Sequence, residues 1–419
     1  MRSSAACLPA LHSLRDIYIR REDWTRVTQT LELEAKLWTE DKERAGILAH
    51  IGQLYLDKLK NADRAIQYYE NALAVDKDCL PANRALFQIY FQREDWQRAF
   101  AAGQVLLAKA NREGEPSERS AFQSRRAIVA QRLGNLRVAC ESVVTALEIW
   151  PENISALETL AVLCRVRNSG YDFAPICREL DKQYRRRSLH RCLSLLLIAQ
   201  ASLAERSADV DAADALLTEA VKLSPDDFLP VEAQAMLHER LRNFALSRSV
   251  IEAFIKHCHD SSEPLALLPQ LVMAQLRLAE LYSESMMDAD KAVVALRAVC
   301  AEEARAGGQS TVPGSVWRSA RYRLSQELFR LGRFSDARGE IEGLIELATQ
   351  PMPHTTSPRQ ELRAGESSGA GGAPPMELAR YFDYLGRILD AQGDAAAAQR
   401  TFRRAVDLDP TFALPVLAL

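Results

Sequence analysis

The chain has 419 residues, 26% of them charged, and a net charge of −3 at pH 7. A balance so near neutral argues against electrostatic binding to nucleic acid or to an anionic membrane surface. A membrane-spanning helix needs about 20 consecutive apolar residues. No stretch of the sequence approaches that length, so we also expect no membrane insertion.

Two segments near the start of the chain are copies of one another. CLPALHSLRDIYIRREDW begins at Cys7, CLPANRALFQIYFQREDW begins at Cys79, and eleven of their eighteen positions are identical. Self-similarity at a fixed offset, here 72 residues, is typical of a repeat architecture in which each unit is one supersecondary element.

Further units follow along the chain, each recognised by apolar residues that recur three or four positions apart, the spacing of one helix face. The clearest sets are Gly52, Tyr55, Ala65, Tyr69 and Ala72; Ala127, Ala130, Gly134, Ala139, Val143, Ala146 and Pro151; Ala201, Ala204, Ala213, Leu217, Ala220 and Pro225; Ala279, Tyr282, Ala292, Leu296 and Val299; and Leu324, Ser325, Leu328, Gly332, Ala337, Ile341 and Leu344. The first and fourth sets carry one extra residue in the turn. Weaker units occupy about 154–186, damaged by Gly170 and Pro175, and about 228–258.

Breaks between the units fall at 111–118, 259–266 and 306–315. The longest break, 349–377, holds five Pro and four Gly and shows no apolar periodicity. This composition predicts a flexible Pro/Gly/Ser-rich insertion. Two interpretations stay open for it: a plain linker, or a regulatory or partner-binding segment.

The last complete unit shows the repeat most clearly. Its characteristic residues are Phe382, Leu385, Gly386, Leu389, Gly393, Ala398, Phe402, Ala405 and Pro410. Gly386 and Ala398 are small where two helices would approach closely, and Gly393 permits the turn between the helices.

These positions resemble the signature of the tetratricopeptide repeat (TPR), a helix-turn-helix of 34 residues. The resemblance implies an all-α fold, a right-handed superhelical solenoid of about ten TPR-like helix-turn-helix repeats. We predict about nine repeats in 1–348, degenerate near 154–190, then the 349–377 insertion. A final repeat and the start of a further helix are expected in 378–419. Phe87 departs from the pattern, because a small residue is expected there.

The closing residues 413–419 have the phase of 7–11 and 79–82, each of which opens a first helix. This phase predicts a segment of a longer array that stops within an eleventh unit. Terminal repeats normally carry a polar outer face, so we expect self-association through uncapped ends. The alternative is that the apolar tail docks back as a cap.

No motif of catalysis or cofactor binding stands out: the sequence has no Gly-rich phosphate loop, no HExxH, no GxSxG and no zinc-spaced cysteine and histidine set. We therefore predict no enzyme, no cofactor and no metal site, and interpret 257–259 (HCH) and the basic run 185–187 as solvated or half-buried residues. The eight cysteines occur singly, which favours reduced thiols in a cytoplasmic protein. Only ten of the 53 basic residues are lysine, and with the abundant alanine this suggests a bacterial source.

The resemblance implies a non-catalytic protein-protein interaction scaffold that binds a partner peptide or helix along the concave groove formed by the first helices. The candidate groove residues are Arg84, Gln88, Tyr322, Gln326, Arg330, Arg380, Asp383 and Arg387. The Lys and Asn clamp by which one TPR subfamily holds chaperone tails is absent at the corresponding positions. An alternative is a regulatory or substrate-recruiting segment of a larger enzyme or signalling protein.

Overall fold

A computed structural model describes residues 8–110, 115–166, 170–306, 311–349 and 375–410. Within these ranges the chain forms twenty α-helices, one π-helical turn and no strand, which confirms the predicted all-α fold. The residues of the predicted insertion from 350 to 374, and those of the predicted further helix from 411 to 419, lie outside the described residues.

The helices fall into two compact units, Met1–Gln183 and Tyr184–Leu419, called unit 1 and unit 2 below. The first ten helices are α1 (Leu8–Arg20), α2 (Trp24–Leu37), α3 (Asp41–Asp57), α4 (Ala62–Val75), α5 (Leu80–Gln92), α6 (Trp96–Ala110), α7 (Pro116–Arg132), α8 (Leu136–Ile149), α9 (Ile154–Arg165) and α10 (Ala174–Arg187), the last of which crosses the division. Unit 2 continues with α11 (His190–Arg206), α12 (Val210–Leu223), α13 (Phe228–Arg240), α14 (Phe244–Asp260), α15 (Leu268–Glu280), the π-helical turn (Leu281–Ser285), α16 (Ala289–Ala306), α17 (Gly314–Arg330), α18 (Phe334–Thr349), α19 (Pro375–Ala391) and α20 (Ala395–Leu408).

Consecutive helices pack as hairpins, in which an odd-numbered first helix lies against the even-numbered second helix that follows it. First helices also contact each other in both units, as α3 contacts α5 and α13 contacts α15. The pair α9 and α10, in the segment where the repeat pattern is degenerate, packs much less closely than the other hairpins.

The turn inside the hairpins has a recurring construction: a residue with positive φ followed by an Asp or Asn that caps the second helix. Gly393 has φ +84°, and Asp394 accepts a hydrogen bond from the Ala397 N–H at 3.0 Å. Such a side-chain cap satisfies one of the N–H groups that a helix start leaves unpaired. The same turn is built with non-glycine residues at Glu22, Lys60, Glu94, Ala208, Arg242 and Met287.

The extra residue that two of the repeats carry lies in this turn. In the regular turn the Asp394 N–H donates to the carbonyl of Leu389, five residues back, at 3.0 Å. In the two longer repeats the corresponding hydrogen bonds reach six residues back. The Asn61 N–H donates to the Tyr55 carbonyl at 2.9 Å, and the Asp288 N–H donates to the Tyr282 carbonyl at 2.8 Å. In the second case the chain forms the π-helical turn Leu281–Ser285, a common way for a helix to absorb an inserted residue.

Helix contact within a hairpin depends on one small residue facing one large ring. A Cβ built on Gly386 of α19 would lie 2.5 Å from Phe402 Cε1 of α20. A Cβ on Gly52 of α3 would lie 2.9 Å from Tyr69 Cε1 of α4. Since carbon atoms normally approach to about 3.5–4.0 Å, only glycine lets these helices come so close.

Phe87 departs from the repeat pattern without disturbing the hairpin, because the large and small residues have exchanged helices. Phe87 on α5 is buried, and a Cβ on Gly103 of α6 would lie 3.2 Å from Phe87 Cε2. The glycine that a repeat normally places on the first helix is therefore supplied by the second. The ring of Phe87 also contacts Phe122 of α7, with centroids 5.2 Å apart, so it helps to join consecutive hairpins.

Candidate functional site

Ion pairs join successive first helices of unit 2, from α11 through α13 and α15 to α17. Glu205 of α11 accepts two hydrogen bonds from Arg240 of α13, at 2.6 and 2.7 Å. Glu239 of α13 accepts one from Arg277 of α15 at 2.7 Å. Glu280 of α15 pairs in turn with Arg323 of α17. We call these residues the ion-pair ladder; they are Glu205, Arg240, Glu239, Arg277, Glu280 and Arg323.

A fourth link lies beside the ladder and uses the π-helical turn. Ser283 donates to Glu327 of α17 at 2.6 Å and accepts from Arg330 of α17 at 3.0 Å. Arg330 also donates to Glu327 at 3.0 Å. Single exposed ion pairs contribute little to stability, about 0–1 kcal/mol. These ion pairs instead fix the relative position of neighbouring first helices, because bidentate and shared pairs allow only one register between them.

Aromatic side chains fill the junction between the last two hairpins. The ring centroid of Tyr322 on α17 lies 5.5 Å from those of Tyr381 and Tyr384 on α19. Phe329 lies 5.8 Å from Tyr384 and 5.2 Å from Phe334, in edge-to-face arrangements. Such ring pairs contribute about 0.5–1.5 kcal/mol beyond their buried area. Tyr322, Phe329 and Tyr384 stay partly exposed, so the cluster reaches the surface.

Asp383 lies buried beside this cluster. Its Oδ2 accepts a hydrogen bond from Arg387 Nε at 3.0 Å, whereas its buried Oδ1 has no hydrogen-bond partner among the described residues. Burial raises the pKa of Asp383, and the charge and hydrogen bond of Arg387 oppose that rise. Burial also raises the pKa of Tyr322, followed by the negative charge of Asp383. The guanidinium groups of Arg387 and Arg380 act in the opposite direction on Tyr322.

The structure therefore brings most of the candidate groove residues of α17 and α19 together. Tyr322 and Gln326 lie one turn apart on α17, and their neighbours on α19 are Arg380, Asp383 and Arg387. Arg380 and Arg387 are exposed and Gln326 is partly exposed, whereas Asp383 lies beneath the surface and holds Arg387. We call the surface formed by Tyr322, Gln326, Arg380, Tyr384 and Arg387 the α17–α19 patch.

The remaining candidates lie elsewhere. Arg330 belongs to α17 but is joined to Glu327 and Ser283. Arg84 and Gln88 are exposed on α5, one turn apart, in unit 1.

Sequence reasoning did not identify the ion-pair ladder or Tyr384. A signal for the ladder was present, because Glu205 and Glu239 occupy equivalent positions near the ends of consecutive first helices. Their partners lie at different distances from the helix ends, because Arg240 is the last residue of α13 whereas Arg277 lies three residues before the end of α15. Spacing alone therefore does not pair them.

Unit 1 carries an open cleft of about 420 Å³ between α4, α5 and α6. Tyr90 of α5 donates to Glu70 of α4 at 2.8 Å, and the guanidinium of Arg98 on α6 lies 5.7 Å from the Tyr90 ring centroid. Leu73 and Ala102 contribute apolar walls. The side chains of Tyr90, Glu70 and Arg98 thus contact one another.

The described part of the chain shows where its potential metal ligands and thiols lie. There, no three His, Cys, Asp or Glu side chains lie together as a metal site would need. None of the seven described cysteines forms a disulfide bond, and burial raises the pKa of Cys177 to about 12 and that of Cys258 to about 11. A protonated thiol is a poor nucleophile. His257 instead pairs with Asp226 at 2.8 Å.

Among the described residues no helix combines the length and the apolar character needed to cross a membrane.

Comparison with known proteins identifies the repeat. Residues 45–79 and 379–412 match the family model of the tetratricopeptide repeat. These segments cover most of the hairpins α3–α4 and α19–α20, in which glycine faces an aromatic ring. No curated protein matches the sequence.

Two solved structures align with much of the chain at low similarity. A tetratricopeptide repeat protein from Parabacteroides merdae aligns with 12% identity and a TM-score of 0.41, over 76% of this chain and 98% of that chain. The C-terminal part of a TPR repeat-containing protein from Cytophaga hutchinsonii aligns with 13% identity and a TM-score of 0.37, over 80% of this chain and 98% of that one.

Proposed function

Since two segments of the chain match the tetratricopeptide-repeat family model, we propose that it is a non-catalytic scaffold that binds a partner protein or peptide on its first helices. The observation that carries the proposal is the α17–α19 patch. It combines partly exposed tyrosine rings with exposed arginines on neighbouring first helices. Tyrosine and arginine are the residues most enriched at the energetic centres of protein interfaces, because each offers apolar contact area together with hydrogen-bonding groups.

The architecture beneath the patch supports this role. The ladder and the aromatic cluster hold the first helices of unit 2 together, so the patch is organised before a partner arrives. A preorganised surface loses less conformational entropy on binding than a mobile one. Arg84 and Gln88 on α5 form a second, smaller binding surface in this proposal, located in unit 1. The raised pKa values of Cys177 and Cys258 support the non-catalytic assignment, and the lack of disulfide bonds among the seven described cysteines supports a cytoplasmic location.

Site-specific photocrosslinking in the native host tests the proposal. A photoreactive benzoylphenylalanine placed at Gln326 or at Gln88 should form adducts with a partner protein, because both side chains lie on first helices. The same group at Arg403, exposed on the second helix α20, is the matched control. Adducts at the control position that equal those at Gln326 and Gln88 would contradict the assignment of binding to the first helices.

A further inference from the structure

The geometry points to an acidic peptide segment, bound through its Asp or Glu side chains, as the partner of the α17–α19 patch. This inference rests on the proposed function and adds the chemistry of the ligand. The first observation is an asymmetry within the ion pairs. The side chain of Arg387 is 47% exposed while that of its partner Asp383 is 8% exposed. Arg330 and Glu327 show the same arrangement, at 45% and 10%.

In both pairs the carboxylate lies beneath and the guanidinium faces outward. A partner that approaches Arg387, or Arg330 outside the patch, therefore meets a guanidinium group, although the pairs themselves are neutral. Complementarity of this kind sets specificity and association rate more than affinity, because solvent screens exposed charges.

The outward-facing guanidinium groups have N–H donors that form no hydrogen bond among the described residues. Arg387 uses Nε to hold Asp383, which leaves the two terminal nitrogens for another acceptor. Arg330 uses Nη1 for Glu327 and Ser283, which leaves Nε and Nη2. Arg380 is exposed and forms no ion pair with the described residues. Pairs of guanidinium N–H groups match the two oxygens of a carboxylate, so these side chains favour Asp and Glu over neutral acceptors.

The spacing of the patch fits an extended polypeptide. Arg380 and Arg387 are seven residues apart on α19, which corresponds to about 10.5 Å along a helix axis. Residues three apart in a polyproline II segment, an extended conformation, point to the same side and lie about 9 Å apart. Tyr384 lies between the two arginines in the sequence and packs against Tyr322, so an apolar side chain between two acidic residues would meet a partly exposed aromatic surface.

The buried charge of Asp383 favours carboxylates over more highly charged anions. Its Oδ1 is uncompensated by any hydrogen bond among the described residues. A carboxylate that binds the terminal nitrogens of Arg387 stays on the outer side of the guanidinium and carries one negative charge. A phosphate monoester would concentrate up to two negative charges above Asp383 and would be repelled more strongly.

Selection from a random library of twelve-residue peptides on the full chain tests the inference. The wild type should enrich peptides with an excess of Asp and Glu, and their affinity should fall as ionic strength rises. R380E should abolish the acidic preference, because it replaces an unpaired exposed cation by an anion. R403E on α20 makes the same change of charge at an exposed position on a second helix, and it should leave the preference unchanged. For one enriched peptide, R380Q should lower the affinity about two- to fivefold, the range of a single exposed charge pair.

The outcomes separate this inference from the proposed function. Enriched peptides without acidic excess that lose binding in Y322A would overturn the acidic chemistry and leave the scaffold proposal standing. An acidic preference that survives R380E, or that R403E removes equally, would place the cationic site elsewhere and overturn the inference. Failure to enrich any peptide would count against the inference and the proposed function together. Circular dichroism spectra matching the wild type establish that each variant is folded.

Discussion

Substitution of Gly386 by alanine tests whether the close approach of α19 and α20 stabilises the last hairpin. The added Cβ would lie 2.5 Å from Phe402 Cε1 and 2.7 Å from Cδ1, so a buried ring must move by about 1 Å to restore normal carbon contacts. Overpacking of this size costs about 1–3 kcal/mol. Alanine regains up to about 1 kcal/mol of helix propensity. The steric effect should win, and we expect a net loss of about 1 kcal/mol in the free energy of unfolding.

Gly339 provides the matched control. It lies in the neighbouring helix α18, is exposed, and a Cβ there would meet no atom within 4 Å. G339A should therefore show the propensity effect alone, a gain of up to about 1 kcal/mol. The double variant G386A/F402L should lose less than the sum of its single variants, because leucine makes room for the new methyl group.

Urea denaturation followed by far-UV circular dichroism measures these differences, read as shifts of the midpoint at constant slope. A stability of G386A equal to or above that of the wild type would refute the reasoning. So would strict additivity of G386A and F402L, because the two residues would then not share a contact.

Two further predictions concern the turn and the buried carboxylate. A208G should raise the melting temperature, because Ala208 has φ +61° and glycine removes a left-handed strain of about 1 kcal/mol. G393A should lower the melting temperature, because Gly393 has φ +84°. Equal shifts of the same sign in the two variants would contradict the turn assignment. D383N tests the raised pKa of Asp383, which means that the folded state holds the proton more tightly than the unfolded state. Ionisation therefore lowers stability as pH rises from the ordinary value of 3.8 through the raised pKa. Urea unfolding of D383N and the wild type at pH 4 and pH 7 should show the variant gaining relative stability at the higher pH, and a difference independent of pH would show that Asp383 is not desolvated.

Much of each hairpin could be predicted from the sequence, because its determinants are local. Gly386 and Phe402 are sixteen residues apart and meet through one turn, so their spacing alone predicts the contact. The extra residue before Asn61 and before Asp288 likewise follows from counting positions. The left-handed residues were predictable only where they are glycine, since Ala208 and Met287 give no comparable signal.

Phe87 shows where local spacing fails. The position requires a small residue only if its partner on the second helix is large, and Gly103 on α6 exchanges the two roles. The sum of the two volumes is preserved, which is the quantity that close packing constrains. A template that scores each position separately cannot register such an exchange.

The sequence by itself therefore determined the helical repeat, the turns and the first helices on which groove residues lie. The tertiary structure decided which of those residues are exposed at the surface and which lie buried beneath it and hold the exposed ones in place. It placed Asp383 beneath Arg387 and linked Glu205 to Arg240 across two hairpins. Burial and ion pairing between hairpins depend on how successive first helices stack and on side-chain rotamers. Periodicity along one helix specifies neither of these, so only the packed structure shows that the arginines face outward with their carboxylates below.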